Sequence, residues 1–307
     1  MTNPLVSVIV PNYNHARYLE QRLDTVFSQT YQNFEVIILD DKSTDNSLEI
    51  INRYKDNPHL SQIVVNEQNT GSPFKQWDKG INLAKGELIW IAESDDYNEL
   101  TFLEELIIEW NKHNNVVAAF SNYVMFWGDK YLYSKERKAR VYSGKDYIIN
   151  RLIRYCDIRN ASGVVFSKNA YLNISKDYTS YKSAGDLRFW SEILQYGKCV
   201  KINKNLTYFR QNITSVTGTN GSKGIISKED KMVYDYVCRV YKLSNFQEKM
   251  VRLKKAVQYL NSPYDSENIR QEILDIWHIH RGQKVSLIFK FIFWLSGSLE
   301  RHLGILI

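Results

Sequence analysis

Acidic residues follow two apolar runs in the first third of the chain. Asp41 closes an aspartate pair after the run 34–39, and Asp95 and Asp96 come just after the run 88–92. Carboxylate oxygens suit Mn²⁺ or Mg²⁺. Paired aspartates are also common solvated turn formers. If both runs are strands of an open parallel sheet, these side chains lie at its ligand-binding edge.

The first apolar run ends in residues 11–14, Pro-Asn-Tyr-Asn, instead of a glycine-rich turn. This disfavours a nicotinamide or flavin enzyme, because the G-x-G-x-x-G fingerprint is absent. A tyrosine with acidic groups suits a nucleobase, by stacking on the ring and accepting its imide proton. The structural alternatives are an exposed turn tyrosine for Tyr13 and, for Asp41, a charge at a helix N-terminus.

The elements that must position these residues alternate along the chain. The predicted strands are 7–10, 34–39, 62–65, 88–92, 116–120, 163–166, 199–202 and 206–210. The predicted helices are 17–29, 44–54, 74–85, 101–111, 186–196 and 246–260. Ser43 resembles an N-cap residue, and segment 123–145 has no clear period. The alternation predicts β-α-β units, an α/β fold and a mostly parallel sheet.

The 307 residues, 44% hydrophobic and 24% charged, are typical of a folded globular protein. We predict a catalytic domain over residues 1–220 and a helical region over 221–307, with a linker rich in Gly, Ser and Thr between them. The three cysteines lack paired spacing, which favours reduced core thiols in the cytosol. The first apolar run is too short for a signal peptide.

Three segments together resemble glycosyltransferase family 2. They are VSVIVPNYN at 6–14, LDDKSTD at 39–45 and AKGELIWIAESDD at 84–96. The resemblance is dense over about the first 100 residues and continues more thinly to about residue 215. It implies the GT-A fold, Rossmann-like with a mostly parallel sheet flanked by helices, here with a C-terminal helical appendage. It also implies an inverting, metal-dependent transfer from a UDP-sugar to a saccharide acceptor.

The resemblance carries roles onto individual residues of the first segments. Pro11 and Tyr13 match positions that line the uracil pocket, and Asp41 matches the carboxylate that hydrogen-bonds the uracil ring. Asp95 is expected to face the ribose or sugar of the donor. Asp96 is expected to hold the Mn²⁺ or Mg²⁺ ion.

A downstream string, residues 184–190, resembles the family's segment with the catalytic base, and Asp186 is the residue that matches. Attack by a neutral hydroxyl needs a carboxylate to remove its proton. Asp186 also opens a predicted helix, so an N-cap role is its alternative. Trp190 is expected to stack on an acceptor sugar or pack in the core. Lys75 is expected to pair with phosphate or to be a surface residue.

Three further positions carry weaker expectations. In the string 208–212, Asn212 stands where many relatives place a histidine that is sometimes a metal ligand. Residues 160–162 are expected to line the acceptor side. We assign His15 to the surface.

The C-terminal part is basic. Residues 223–307 have 14 Lys and Arg against nine Asp and Glu, within a net charge of +6. The apolar stretch 285–295 is too short to span a bilayer, so an interfacial helix is one interpretation, and a helix covering the catalytic domain or a second subunit is the other. We expect a cytoplasmic protein with peripheral membrane contact, a lipid-linked acceptor and no nucleic-acid partner. A homo-oligomer is left open.

Two other functions fit parts of the pattern. A nucleotidyltransferase also binds nucleotides over a parallel sheet, but it would offer a glycine- and arginine-rich loop after the first strand. A non-catalytic saccharide-binding protein would retain the fold alone. Both acidic elements are intact here, which favours the enzyme, and donor hydrolysis distinguishes the two.

Overall fold

The computed structural model describes residues 2–211 and 220–279. Within them the chain divides into two compact units. The first consists of 2–142, 158–180 and 196–211, and the second of 143–157, 181–195 and 220–279. Two segments that precede residue 220 therefore belong to the same unit as the C-terminal helices. The predicted domain boundary near residue 220 stays a prediction.

The first unit contains a mixed sheet with helices. Its strands are β1 (Val6–Asn12), β2 (Phe34–Asp40), β3 (Leu60–Val65), β4 (Leu88–Ile91), β5 (Tyr97–Asn98), β6 (Val116–Trp127), β7 (Lys130–Leu132), β8 (Arg140–Ser143), β9 (Val164–Ser167) and β10 (Lys198–Arg210). Its helices are α1 (Ala16–Phe27), α2 (Ser47–Asn52), α3 (Pro73–Leu83), α4 (Phe102–Asn111) and α7 (Lys168–Tyr171). The described strands follow the order β3-β2-β1-β4-β9-β6-β10-β5, with β7 on β6 and β8 on β10. This confirms the predicted α/β fold.

The centre of the sheet is parallel and apolar on both faces. Strand β1 pairs with β2 on one side and β4 on the other, and every residue of the three strands is buried. Continuous apolar runs are typical of strands with helices on both faces. Helix α3 packs so closely on β1 that a Cβ at Gly80 would clash with Ile9. Chain order reverses between β1 and β4, which is where open α/β sheets bind ligands.

Three local predictions differ from the structure. β6 extends through Trp127 into the unassigned segment, which also contains β7 and β8. The predicted strands 199–202 and 206–210 are one strand, β10, with register shifts around Asn205. The Asn205 side chain donates to the Ser134 carbonyl (2.7 Å), which holds this residue inside a bulge. Ser43 does not cap α2, since Asn46 precedes that helix.

The second unit is helical. It contains α5 (Gly144–Tyr147), a π-helical turn (Ile148–Leu152), α6 (Ile153–Tyr155), α8 (Gly185–Ile193), α9 (Ile225–Tyr241), α10 (Asn245–Leu260) and α11 (Glu267–Ile276). Ser244 and Gln247 form a capping box at the start of α10. Inside the unit, Lys255 of α10 pairs with Asp230 of α9 at 2.6 Å. Removing one partner of such a buried pair is strongly destabilising, so the pair holds these two helices together.

All three cysteines are free thiols, as predicted. Cys199 is buried, whereas Cys156 and Cys238 are partly exposed, so only the first is a core thiol. None of the helices within 2–211 and 220–279 has the length and apolar character needed to cross a membrane.

Candidate active site

The carboxyl ends of β1 and β2 are joined by a polar network. Asp40, the last residue of β2, accepts hydrogen bonds from Asn12 Nδ2 (2.8 Å) and from the backbone N–H and hydroxyl of Ser43 (2.8 and 2.6 Å). The Ser43 hydroxyl in turn accepts from the backbone N–H of Asn14. This explains why Ser43 is not a helix cap: it fixes the two loops that contain Tyr13 and Asp41.

Asp41 lies at this edge and is 4% exposed. Its carboxylate accepts from Asn66 Nδ2 (2.6 Å), Gln76 Nε2 (2.9 Å), and the backbone N–H and hydroxyl of Thr70 (3.0 and 2.8 Å). A carboxylate has about four lone-pair positions. Donors from the loop between β3 and α3, and from α3 itself, therefore fill them, and a uracil N–H would have to replace one of these donors.

Pro11 and Tyr13 flank the same edge in different environments. Pro11 is buried opposite Leu39 in the β1–β2 register, whereas Tyr13 is 45% exposed. An exposed ring is available for stacking, and it equally fits the turn-tyrosine alternative. The predicted uracil contact of both residues stays a prediction.

Asp96 lies beyond the carboxyl end of β4 and is 3% exposed. Its Oδ2 accepts from Asn160 Nδ2 and Ser162 Oγ, both at 2.8 Å, and its Oδ1 accepts from the backbone N–H of Arg210 at 3.1 Å. The segment 160–162, expected on the acceptor side, thus orients the predicted metal ligand. Burial, followed by the charge of Asp95, raises the pKa of Asp96 to about 7.

Glu93 and Asp95 complete a crowded acidic loop. Burial and the charge of Asp95 raise the pKa of Glu93 to about 8, although Trp77 Nε1 donates to its carboxylate at 2.7 Å. Burial also raises the pKa of Asp95. Three carboxylates close together in a low dielectric retain protons unless a cation compensates them.

Two arginines that the sequence analysis missed contact this loop. Arg22 is fully buried under it, donating to the Glu93 carbonyl (2.9 Å) and to Asn98 (2.7 Å), and burial lowers its pKa to about 10. Arg210 donates through Nε to the Asp95 carbonyl at 2.9 Å. Arg22 stands on the apolar face of the predicted helix. A charged residue there is a weak signal of a buried partner from a distant part of the chain.

His15 and Lys75 lie near this edge. His15 is half-buried, and its Nδ1 is 2.8 Å from Ser94 Oγ, which corrects its assignment to the surface. Burial and the nearby Arg17 lower the pKa of His15. Lys75 is exposed on α3, while its neighbour Gln76 turns toward Asp41. The phosphate contact of Lys75 stays a prediction.

Asp186 belongs to the second unit. It lies in the first turn of α8 and accepts from the Leu187 N–H at 2.7 Å. Ala184 is the N-cap residue, so the predicted N-cap role of Asp186 is wrong. Burial raises the pKa of Asp186 to about 7, and the charges of Asp230 and Glu229 act in the same direction. A carboxylate that titrates near neutral pH has the basicity that general-base catalysis favours.

Glu229 of α9 holds the loop that leads into α8. Its carboxylate accepts from three successive backbone N–H groups, those of Lys182 (2.8 Å), Ser183 (2.9 Å) and Ala184 (2.8 Å). Charge-assisted hydrogen bonds of this kind are among the stronger ones in proteins. The start of the Asp186 helix therefore depends on a side chain from the C-terminal region.

Trp190, on the same helix as Asp186, is 1% exposed and packs edge-on against Phe189. Its burial agrees with the core alternative, and stacking on an acceptor sugar stays a prediction. Asn212 and the stretch 285–295 lie outside the described residues.

The acidic loop suits a hard divalent cation. Within 2–211 and 220–279, no group of three or more His, Cys, Asp or Glu side chains is arranged to hold a metal ion. Asp95 and Asp96 supply carboxylate oxygens only, and their raised pKa values indicate negative charge that a cation would stabilise. Mg²⁺ and similar ions are commonly bound by one or two carboxylates together with substrate phosphates. The residues therefore fit a cation shared with a diphosphate.

The fold and the acidic loop define a glycosyltransferase. The model of the family described as Glycosyl transferase family 2 matches residues 7–171, more than half of the chain. The chain belongs to this family, and the predicted resemblance and GT-A fold are confirmed.

Individual relatives agree with this assignment. Glycosyltransferase GlyG of Streptococcus pneumoniae is 28% identical over 270 residues, covering 82% of this chain and 87% of its own. WfaP of Escherichia coli, named a UDP-Glc:α-D-GlcNAc-diphosphoundecaprenol β-1,3-glucosyltransferase, is 31% identical, covering 69% and 80%. Staphylococcus aureus TarS 1–349 in complex with UDP-GlcNAc superimposes with a TM-score of 0.61 at 21% identity, covering 96% and 80%. The TarS likeness concerns the fold.

Proposed function

We propose that this glycosyltransferase moves a sugar from a UDP-sugar onto a saccharide hydroxyl with inversion at the anomeric carbon. The observation that carries the proposal is the acidic loop after β4, with Asp96 buried and oriented, at the sheet edge where Asp41 also lies. Carboxylates at the carboxyl ends of β2 and β4 suit a nucleoside diphosphate with its cation. The names of WfaP and the TarS complex, which include UDP-Glc and UDP-GlcNAc, support a UDP-sugar donor.

Each residue has a defined task in this reaction. Tyr13 stacks on the uracil, and Asp41 accepts its N–H in exchange for one loop donor. Asp95 faces the ribose or sugar. Asp186 removes the proton of the acceptor hydroxyl as that oxygen bonds to the anomeric carbon. The bond from this carbon to the diphosphate breaks in the same step and UDP leaves, so a single displacement inverts configuration.

Asp96 is the residue that would hold Mn²⁺ or Mg²⁺. The ion supplies neutralisation of the diphosphate when it is bound. The protein's own part is to hold Asp96 in place through Asn160, Ser162 and the Arg210 N–H.

A pair of aspartate variants tests the base. Asp186→Asn should lower turnover by about 10³-fold while UDP binding stays the same, because general-base catalysis contributes about 10²–10⁴-fold. Asp235→Asn is the matched control, since Asp235 is an exposed partner of Lys231 in the same unit. Turnover is measured with a panel of UDP-sugars and Mn²⁺, and UDP binding by calorimetry. Undiminished turnover in Asp186→Asn would remove this residue from the mechanism.

We further propose that the acceptor is a glycan of the cell surface, linked to a lipid, and that transfer occurs at the cytoplasmic face of the membrane. The lipid-diphosphate acceptor in the name of WfaP supports this. Sedimentation with anionic lipid vesicles tests the peripheral contact. A chain that stays in the supernatant at low salt contradicts that contact and leaves the transfer reaction unaffected.

A further inference from the structure

A cleft of about 440 Å³ in the first unit has four tyrosines among its nine lining residues. Its residues are Gln21, Thr25, Tyr97, Asn98, Glu99, Leu100, Tyr131, Tyr133 and Tyr208. They come from α1, β5, the β6–β7 hairpin with the residues after it, and β10. No role in donor binding or proton transfer has been assigned to this tyrosine cleft.

The rings of the cleft lie in nearly parallel pairs. Tyr97 stacks on Tyr208 with centroids 4.3 Å apart and planes at 8°, and Tyr131 stacks on Phe126 at 5.5 Å and 11°. Tyr133 continues the second pair, 6.2 Å from Tyr131. Because the rings of the tyrosine cleft stack on one another, they are fixed before any ligand binds, which lowers the entropic cost of binding.

Much of this aromatic surface is exposed to solvent. Tyr131 is 45% exposed and Tyr133 is 60% exposed. Clustered exposed apolar surface marks an interaction site more often than single exposed residues do. The chemistry around the rings is polar but carries little charge, with Gln21, Thr25 and Glu99 at the rim.

This combination suits a saccharide. Pyranose rings present flat C–H faces that pack on aromatic rings, while their hydroxyls need hydrogen-bonding groups at the edge. Glu99 can accept from such hydroxyls, and it is held in place by the Tyr208 hydroxyl at 2.6 Å. A phosphate ligand is disfavoured, because the lining has a carboxylate and lacks lysine and arginine.

The tyrosine cleft is adjacent to the acidic loop. Tyr97 directly follows Asp96 in the chain. Arg210 bridges the two places, because its backbone N–H donates to Asp96 while its Nη2 donates to Gln21 Oε1 at 3.1 Å. Its guanidinium also lies 4.5 Å from the centroid of the Phe126 ring, which stacks on Tyr131. A sugar chain in the cleft thus lies beside the candidate donor site.

We infer that the tyrosine cleft binds sugar units of the acceptor glycan other than the one that receives the new sugar. This inference rests on the proposed transfer to a saccharide. It implies that the enzyme distinguishes an oligosaccharide acceptor from a single sugar by the stacking surface that Tyr131 and Tyr133 add.

Saturation-transfer NMR with cellotetraose, laminaritetraose, chitotetraose and maltotetraose tests the inference. At least one tetrasaccharide should bind the unaltered chain, and Tyr131→Ala or Tyr133→Ala should weaken it about tenfold, equivalent to about 1.4 kcal/mol. Tyr133→Phe keeps the ring and should stay within about twofold. Trp127→Ala is the matched control, because Trp127 is also 45% exposed on the same hairpin but outside the cleft lining.

The outcomes separate the cleft from the donor chemistry. Binding of none of the four tetrasaccharides, equal binding by the tyrosine variants, or an equal loss in Trp127→Ala would overturn the inference. UDP binding with Mn²⁺ is measured on the same samples and should not change in any variant. If the unaltered chain binds a tetrasaccharide but no UDP, the proposed donor fails while the tyrosine cleft stands.

Discussion

Two loops at one edge of the sheet place their carboxylates in opposite environments: one carboxylate is surrounded by hydrogen-bond donors, and the others are crowded by like charges. The Asp41 carboxylate is surrounded by donors from Asn66, Thr70 and Gln76. The loop 93–96 brings three carboxylates together, and the pKa of Asp96 rises to about 7. Hydrogen bonds from the segment after β3 and from α3 satisfy the charge of Asp41. The loop 93–96 instead keeps negative charge that protons or a cation must balance.

The difference indicates two tasks: the loop of Asp41 recognises the donor, and the loop 93–96 compensates charge. A carboxylate whose acceptor positions are all hydrogen-bonded is held in a fixed geometry. A ligand that binds it replaces one donor with another, so the net gain in binding free energy is small. Several crowded carboxylates bind an entering cation with a large gain in electrostatic free energy. We therefore expect variants of the first loop to affect stability and donor affinity, and variants of the second to affect metal response and turnover.

The largest effect is expected at the crowded loop. Asp96→Asn should lower turnover about a thousandfold, because a bound cation contributes several kcal/mol of charge stabilisation. UDP binding should also lose its dependence on Mn²⁺, which calorimetry with and without the ion measures. Glu104→Gln, at an exposed residue of α4, is the control. A Mn²⁺ response that survives in Asp96→Asn would show that another residue holds the ion.

Metal affinity should depend on pH in a defined direction. Because the pKa of Asp96 is raised from 3.8 to about 7 in the folded chain, the folded state binds more protons than the unfolded state between these values. Stability without metal should therefore fall as pH rises through this window. Protons compete with the ion, so Mn²⁺ should bind about tenfold more weakly at pH 6 than at pH 8.

Thermal unfolding at several pH values, with and without Mn²⁺, measures this dependence. The stabilisation by Mn²⁺ should be larger at pH 8 than at pH 6 and should be lost in Asp96→Asn. An equal stabilisation at both pH values would contradict the explanation that protons and Mn²⁺ compete for Asp96.

A smaller effect is expected at the saturated loop. Asp41→Asn should lower stability by about 1–3 kcal/mol, since an amide group would face donors that now meet a carboxylate oxygen. UDP affinity should fall about tenfold, with the Mn²⁺ response retained. Thr70→Val removes one loop donor and should destabilise the chain without weakening UDP. If Asp41→Asn and Thr70→Val behave alike, Asp41 is a structural residue only.

The smallest effect is expected at Lys75, exposed on α3. Lys75→Ala should change the KM for a UDP-sugar by less than about twofold, as is usual for surface substitutions. Lys79→Ala is the comparison, because Lys79 contacts Asn66, a donor to Asp41. A tenfold rise in KM for Lys75→Ala alone would restore its phosphate contact.

The sequence predicted the parallel centre of the sheet well, because its strands are continuous apolar runs between amphipathic helices. It also predicted which strand ends carry acidic residues. The segment 123–145 gave no period, since β7 and β8 are short, exposed edge strands whose positions depend on pairing with β6 and β10. Arg22 was missed for a related reason: its partners Glu93 and Asn98 are more than 70 residues away.

The predicted break between strands 199–202 and 206–210 shows the limit of local propensity. Asn203 and Asn205 favour turns, yet both side chains donate to backbone carbonyls of residues 134–138. Tertiary hydrogen bonds thus stabilise a bulge where the sequence alone indicates a loop.

The hydrogen bonds of Glu229 limit where the chain can be truncated or exchanged with a relative. A chain shortened at residue 220 would leave the N–H groups of Lys182, Ser183 and Ala184 without their carboxylate, at the entrance to the helix of Asp186. The family match ends at residue 171, before the proposed base Asp186 and the segment that Glu229 holds. Chimaeras that exchange donor specificity between relatives should keep residues 181–195 and 225–260 from one parent.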